Sequence, residues 1–435
     1  MSRLKWILLI VLRYYRSLGL RVSLYALLSL VAALVSPVVQ GFLMSESADI
    51  LDFGSVIPVL TILATSMLAV STFSLNIMVS THRMAATTTT PRVHRLLLED
   101  TTTQSVLSTF IGAFVYSLTS IVLYQAKFYP PEAAIVVMGV TIGVVALVVV
   151  SMLRWIQHLT DLGSVGHSLK TVVTRAETAL SDLAKEPAYG ATPLTADTRL
   201  PDQTTPLEAP CSGYLQLVDV GGLAECLPEH GAVYVLHKPG AHLLESQTIA
   251  EVSGAVAPSD LEALQKNFVI GAERTFEQDA AFGLVVLAEI GSKALSPGIN
   301  DAGTAIAVIG CLKSLLWDYG GKAPDGSAPV APDVDTPCVF APAVSCEDLC
   351  RSAFVSVARD GAATIEVAAR LRAALAALSQ SDNTEMAQAA TEMADLAMTY
   401  CARADLLESE MRQLEAITLA LAPDGALTPD RTGAA

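Results

Sequence analysis

Four stretches of this chain constrain its fold more than any other feature, because each runs for about 20 residues or more without a single Asp, Glu, Lys or Arg: Val22 to Phe42, Ser55 to Val79, Val106 to Tyr124 and Ala133 to Leu153. A hydrocarbon core about 30 Å thick is crossed by about 20 residues of helix, and in lipid every backbone polar group must be satisfied within the element. The four runs therefore predict a four-helix transmembrane domain over residues 21–160, preceded by an interfacial N-terminal helix over 1–20. A signal peptide competes for that N-terminal stretch, but no small-residue cleavage site follows Leu12 and Trp6, Tyr14 and Tyr15 suit an anchor at the membrane surface.

Charge divides the chain at the same place. Residues 1–160 hold 10 Lys and Arg against 6 Asp and Glu, whereas 161–435 hold 17 against 37. Only 16% of the chain is charged, where a soluble protein carries about a quarter. A purely soluble enzyme is excluded, and so is a nucleic-acid partner gripped by phosphate neutralisation, since the part outside the membrane is strongly acidic. The basic residues Arg3, Lys5, Arg13, Arg16 and Arg21 precede the first run, and Arg83, Arg92 and Arg95 lie between the second and third. By the positive-inside rule both termini, and the loop 80–105, are expected in the cytoplasm of a multi-pass bacterial inner-membrane protein.

The polar residues within the spans form stripes. Thr61, Thr65, Thr72 and Asn76 fall in a sector about 60° wide on the second span, and Ser105, Ser108, Thr109, Gly112, Tyr116, Thr119 and Ser120 share a face about 120° wide on the third. Two such stripes suit helices sealed together by interhelical hydrogen bonds, and equally a hydrated pathway. Thr61, Thr65, Thr72, Asn76, Ser105, Ser108, Thr109, Tyr116 and Thr119 are thus candidate pathway-lining residues. Gly139 and Gly143 make a GxxxG pair on the fourth span. No ionisable side chain lies within a span, which disfavours a proton relay.

After the fourth span, Val165, Leu169, Val172, Val173, Ala176, Leu180 and Leu183 recur at helical spacing, and Pro187, Pro193, Pro201, Pro206 and Pro210 then mark a linker, so residues 161–210 read as a juxtamembrane helix and Pro-rich linker. Residues 211–256 form a small β subdomain, with strands Ser212 to Val218, Ala232 to Leu236 and Leu243 to Val252. Within it KPGAHLLESQTIAEV resembles the half-motif of a biotinyl/lipoyl-type barrel-sandwich fold, without the lysine a carrier domain would modify. Residues 257–421 are expected to be mostly helical and 422–435 a disordered tail. The fold class is a membrane α-helical bundle plus a cytoplasmic α+β domain, with a small barrel-sandwich-like β part and a mostly helical C-terminal part.

One break in the helical region stands out. Leu261 to Asn267 and Phe276 to Ala294 read as helices, and a further helix runs from Ala302 to about Trp317. Between the last two lies Ser296-Pro297-Gly298-Ile299-Asn300-Asp301, in which Pro297 stops one helix and Asn300 or Asp301 can cap the next. A Pro- and Gly-rich insertion over 320–337 precedes terminal helices at about 346–358, 361–378, 384–402 and 404–421.

PRVHRLLLEDTTTQSVLSTFIGAFVYSL (91–118), SGYLQLVD (212–219), FVIGAERTFEQDAAF (268–282) and ALSPGINDAGTAI (294–306) resemble, in order, the signatures of one bacterial family of membrane proteins, domain of unknown function 2254. The resemblance covers about residues 20 to 420. It implies an integral membrane protein with a cytoplasmic C-terminal domain and implies no activity.

Glu273, Arg274, Gln278, Asp279, Ser296, Pro297, Gly298, Asn300 and Asp301 form the candidate ligand or structural motif. Carboxylates this close in sequence can do acid–base work or hold a metal. The structural alternative pairs Arg274 with Asp279 or Glu289 and leaves Asp301 as a helix cap. No nucleophile elbow, phosphate loop, HExxH or dinucleotide fingerprint is present, so no catalytic residue is assigned and a non-enzyme is preferred. The seven His show no i, i+4 pair and the seven Cys no CxxC, so no cofactor and no metal site is expected. Partners are expected to be the lipid bilayer, further copies of the chain and cations near the acidic domain. Three functions compete: an oligomeric channel-like protein with an acidic regulatory domain, a non-conducting scaffold or sensor, and a membrane-tethered enzyme.

Overall fold

A computed structural model describes residues 53–419 with interruptions at 89, 99–100, 130–133, 162–163, 195–197, 199, 228–230, 255–256 and 325–338, together with positions 23, 24, 27, 31 and 35. The chain divides into two compact units, Ile7–Ser168 and one built from Leu169 onward.

Among the described residues three helices are long and apolar enough to cross a membrane: Ser55–Thr81 with a mean hydropathy of 2.0, Thr102–Gln125 with 1.9 and Ala134–Leu159 with 2.8. They belong to α1 (Phe53–Thr88), α3 (Thr101–Gln125) and α4 (Ala134–Asp161). The expected first span, Val22 to Phe42, and the interfacial helix before it lie essentially outside the described residues. Polar residues 80–105 are more helical than a loop: α1 continues to Thr88, and a short helix, α2 (Pro91–Leu98), precedes α3. Pro91 explains the break, because it opens α2 at the position where its missing amide hydrogen costs nothing.

The three spans pack through one face each. Val56, Leu60, Leu63 and Met67 on α1 meet Val106, Phe110, Ala113 and Tyr116 on α3, with Val137, Val148 and Trp155 on α4 closing the set. Ile62, Phe73, Ile142 and Leu153 are all more than half exposed, as expected of side chains that face lipid tails.

In the second unit, α5 (Val165–Lys185) begins within the boundary and buries Leu169, Val172, Ala176, Leu180 and Leu183 along one stripe, the periodicity its sequence predicts. A left-handed turn follows in which Ala188, Tyr189 and Gly190 all have positive φ. The stretch expected as a plain linker then contributes two strands, β1 (Thr192–Leu194) and β2 (Thr204–Glu208). Next come β3 (Gly213–Val218), α6 (Val220–Cys226), β4 (Ala232–Val235), β5 (His242–Leu243), β6 (Thr248–Ser253), α7 (Pro258–Gln265) and β7 (Phe268–Gly271).

These strands do not make a barrel. They form one five-stranded mixed sheet, β1-β8-β4-β6-β2, and one three-stranded antiparallel sheet, β5-β3-β7, where β8 is Val339–Pro342. The barrel-sandwich expectation fails for a physical reason: the Pro239-Gly240 turn is followed by a strand of only two residues, too short to link the sheets by a continuous ladder, and β1 and β8 extend the larger sheet in parallel. Leu215, Val218, Leu223, Val233, Ile249, Val252, Leu264 and Val339 form the shared core.

Apart from β8, the regular structure among the remaining described residues is helical: α8 (Ala280–Ala294), α9 (Ala302–Gly320), α10 (Cys346–Asp360), α11 (Ile365–Leu378), α12 (Thr384–Cys401) and α13 (Glu408–Leu419). α8 packs on α9 and α10, α10 on α12, and α11 on α9, α12 and α13.

Candidate functional site

The sequence places its motif residues within thirty positions of one another, but the fold sets them at opposite ends of one helix. Glu273, Arg274, Gln278 and Asp279 lead into the N-terminus of α8, and Ser296 to Asp301 follow its C-terminus. Fifteen helical residues separate the two groups, about 22 Å at 1.5 Å per residue. A single pocket converging on all nine residues is therefore not formed.

At the N-terminal end Arg274 grips Asp279 with a bidentate fork, Nε to Oδ2 at 2.7 Å and Nη2 to Oδ1 at 3.0 Å. Asp279 is 4% exposed, and it also accepts the Phe282 amide at 3.1 Å, which caps α8. Burial pushes its carboxyl above the ordinary carboxylate value, with the Arg274 fork and the Phe282 amide opposing that push. The Arg274 guanidinium lies 5.0 Å from the centroid of the Phe282 ring. Gly240, with φ of +95°, presses against the same ion pair, and a Cβ there would collide with the Asp279 carboxylate. The Lys-Pro-Gly turn is thus seated on the Arg274–Asp279 pair, and its Lys238 reaches across to Asp348 on α10 at 2.5 Å.

Gln278 acts as a surrogate strand. Its Oε1 accepts the Val218 amide at 2.8 Å and its Nε2 donates to the Val218 carbonyl at 3.0 Å. Glu273 contributes its backbone carbonyl, which accepts from Gln216 Nε2 at 2.6 Å, while its side chain is exposed. The hydrogen bonds of Gln278 and of the Glu273 carbonyl fasten the loop 272–279 to β3, and Asp279 fastens it to α8.

At the other end Pro297, Gly298, Ile299, Asn300 and Asp301 are exposed. Asn300 has φ of +51°. The Asn300 amide donates to the Ser296 carbonyl at 2.9 Å, and the Asp301 amide to the Ala294 carbonyl at 2.8 Å. The Asp301 carboxylate accepts the Thr304 amide at 3.0 Å and the Thr304 hydroxyl at 2.6 Å. Those two bonds hold its carboxyl below the usual value. Asp301, rather than Asn300, is the cap.

The two hydroxyl stripes do not face each other. Thr61, Thr65, Thr72 and Asn76 are exposed on the outside of the bundle, and the three threonines turn their hydroxyls onto the carbonyls of Ile57, Thr61 and Leu68 of their own helix. Ser108, Thr109 and Tyr116 are buried on α3, with Ser105 and Thr119 half-buried. Ser108 and Thr109 also bond back to their own helix, while the Tyr116 hydroxyl bonds to Thr141 at 3.1 Å and to the Val137 carbonyl at 3.2 Å on α4. The α1 residues turned inward are instead Ser71 and Ser74, whose buried hydroxyls have no hydrogen-bond partner. Sequence periodicity missed them because they share the α1 face of Leu60, Leu63 and Met67 and so read as part of an apolar seam.

No three His, Cys, Asp or Glu side chains converge on a possible metal position among the described residues. Cys346 and Cys350 are buried on one face of α10. Burial pushes the Cys350 thiol up to about 12.

The fold and its motifs thus define a multi-pass membrane protein carrying a mixed α/β domain with two small sheets. The chain belongs to the family described as Predicted membrane protein (DUF2254), whose profile matches residues 15–377. Among curated proteins it is similar to Uncharacterized protein Rv1290c of Mycobacterium tuberculosis and Uncharacterized protein Mb1321c of Mycobacterium bovis, each 27% identical over 267 residues, or 59% of this chain and 51% of the relative. The chain therefore spans about half the length of the curated relatives it matches. No solved structure matches it.

Proposed function

We propose that the protein works as a homo-oligomer of membrane bundles in which α1 lines a shared polar seam, a channel-like assembly whose acidic domain lies on the cytoplasmic side. The observation that carries this reading is the outward position of Thr61, Thr65, Thr72 and Asn76. A pathway inside one bundle would need these residues turned inward, whereas a pathway between copies needs them where they are. The hydroxyls already bonded to their own backbone can still offer lone pairs to water or to a passing solute. A ring of acidic domains would raise the local concentration of cations at the entrance.

The test is flux from proteoliposomes made with the purified protein, joined to cysteine substitution along α1. Thr65→Cys and Thr72→Cys should react with a small charged thiol reagent, and Thr72→Asp should alter flux. Inert cysteines at both positions, with no flux of any small ion, would sink the proposal. In that case the scaffold or sensor reading moves ahead; the packed Tyr116–Thr141 contact favours it, since that bond seals α3 against α4. A membrane-tethered enzyme draws less support, because its candidate residues sit at two ends of α8.

A further inference from the structure

The solvent face of α9 differs from that of the helices around it. α10 exposes Glu347 and Arg351, α11 Glu366 and Arg370, and α12 Glu392 and Asp395, as amphipathic surface helices do. α9 buries Val308, Ile309, Leu312, Leu315 and Leu316, and outward it turns Gly303, Ala307, Gly310, Ser314 and Trp317, with no charge among them. At about 100° per residue those five fall within a strip about 80° wide. Trp317 is 48% exposed. The Ser314 hydroxyl already has a partner, the Gly310 carbonyl of its own helix at 3.1 Å.

Gly310 is a second anomaly. Glycine inside a helix is destabilising relative to alanine, and at other helical glycines packing explains it: a Cβ at Gly283 would strike Ala176, and one at Gly291 would crowd Val357 and Val308. A Cβ at Gly310 meets nothing within 4 Å. No neighbour in its own chain calls for the missing side chain, whereas a second backbone coming up to the helix would.

We infer that this face of α9 is a contact between copies of the chain, in which two α9 helices pair in parallel. The strip fills the inner positions of a heptad, with Ala307 and Ser314 at a and Gly303, Gly310 and Trp317 at d. Small residues there let two backbones approach closely, and the half-exposed indole supplies the anchor. Lys313 and Asp318 flank the strip on opposite sides, at g and e, and neither makes an ion pair among the described residues. In a parallel pair a g residue meets the partner's e residue five positions on, which sets each Lys313 against the partner's Asp318. An antiparallel pair would bring like flanks together, and an anionic bilayer surface would repel Asp318. Charge complementarity therefore selects a second copy as the occupant. One helix face falls short of the area of about 1,000 Å² that a specific interface needs, so the contact acts between copies already confined to one membrane, where effective concentration is high. It rests on the homo-oligomer proposed above and not on conduction.

The test is cross-linking of the full-length protein in proteoliposomes, with Cys211, Cys226, Cys311 and Cys338 replaced by serine so that only the buried Cys346, Cys350 and Cys401 remain. Under mild oxidation Ala307→Cys and Ser314→Cys should each give a covalent dimer, and Lys313→Cys mixed with Asp318→Cys should give one that neither gives alone. Gly310→Leu should abolish the Ser314→Cys dimer while the melting temperature holds or rises, because leucine favours a helix over glycine and has room there. Lys313→Glu should weaken the dimer, and adding Asp318→Lys should restore it. Absence of a cross-link at both 307 and 314 overturns the inference, as does a cross-link that survives Gly310→Leu in a folded protein. Quenching of Trp317 by brominated lipid, in a Trp6→Phe, Trp155→Phe background, also overturns it and gives the face to the bilayer. Oligomers that form without these cross-links would remove the α9 contact and leave the proposed assembly standing; cross-links without flux would uphold the contact while conduction fails.

Discussion

At the scale of single residues, the candidate motif separates into side chains that hold the fold and side chains that face solvent. Asp279 is the clearest of the first kind, because its carboxylate joins Arg274, caps α8 and bounds the turn at Gly240. Asp279→Asn should therefore leave a largely buried guanidinium without its charge partner and cost about 3 kcal/mol, whereas Asp301→Ala removes one exposed cap for about 1 kcal/mol. Thermal unfolding of the two variants in detergent should rank them in that order; equal losses would mean that the Arg274–Asp279 pair is not what anchors the loop. Gly240→Ala should resemble Asp279→Asn in severity, since a side chain at a positive φ is strained and its Cβ has no room. The sequence leaves Asp279 and Glu289 as alternative partners of Arg274, and the fold pairs it with Asp279. The work of Gln278 is not readable there, because its partner is the backbone of Val218, sixty positions earlier, and backbone targets leave no mark in composition.

At the scale of elements, the long helices and the strands β3, β4 and β6 are legible in the sequence, whereas β1, β2, β7 and β8 are not. The core stripe of α5 announces itself through period, and the Pro297 break fixes the α8–α9 boundary. β7 falls in the stretch 257–421 expected to be mostly helical, FVIG being too short for its period to decide, and β1 and β2 hide in a proline-rich stretch because edge strands tolerate proline. Pairing over long distances also escapes sequence: β8 joins β4 and β1 across an insertion of unrelated composition. Two carboxylates that tie elements together, Asp348 through Lys238 and Asp360 through the Ser292 hydroxyl, carry a pH dependence. Burial works against Asp348, but the hydrogen bond and charge of Lys238, with the Ser345 cap, hold its carboxyl below 3.8. Asp360 is held low in the same way by Arg359 and Ser292. Depressed carboxyls stabilise the fold above the ordinary carboxylate value of about 4 and lose that contribution as the pH falls through the folded value. The melting temperature should accordingly drop from pH 5 to pH 3, with Asp348→Asn showing a shallower slope. A parallel slope in that variant would remove the Lys238–Asp348 clasp from the account.

At the scale of the whole molecule, what sequence reveals is the division of the chain into an apolar unit and an acidic one, and what it leaves open is how the apolar unit is threaded. Three described helices are long and apolar enough to cross a membrane, and the basic residues Arg83, Arg92 and Arg95 before α3 carry the orientation proposed for the last of them. In the proposed topology those charges put residues 80–105 in the cytoplasm, so that α3 would lead out, α4 would lead back, and everything from α5 onward would be cytoplasmic. The side on which the N-terminus lies then depends on Val22 to Phe42 alone. If that run crosses, both ends of the chain share a side; if it does not, they are on opposite sides. Its 21 residues without charge are enough for about 30 Å of hydrocarbon, and the five basic residues before it favour a cytoplasmic start. Paired fusions decide the matter. A reporter active only in the cytoplasm should work both before Met1 and after Ala435, and a periplasmic phosphatase should be silent at either end. Phosphatase activity at the N-terminal fusion alone would establish a three-span protein, and activity at the C-terminal fusion would overturn the assignment of the acidic domain to the cytoplasm.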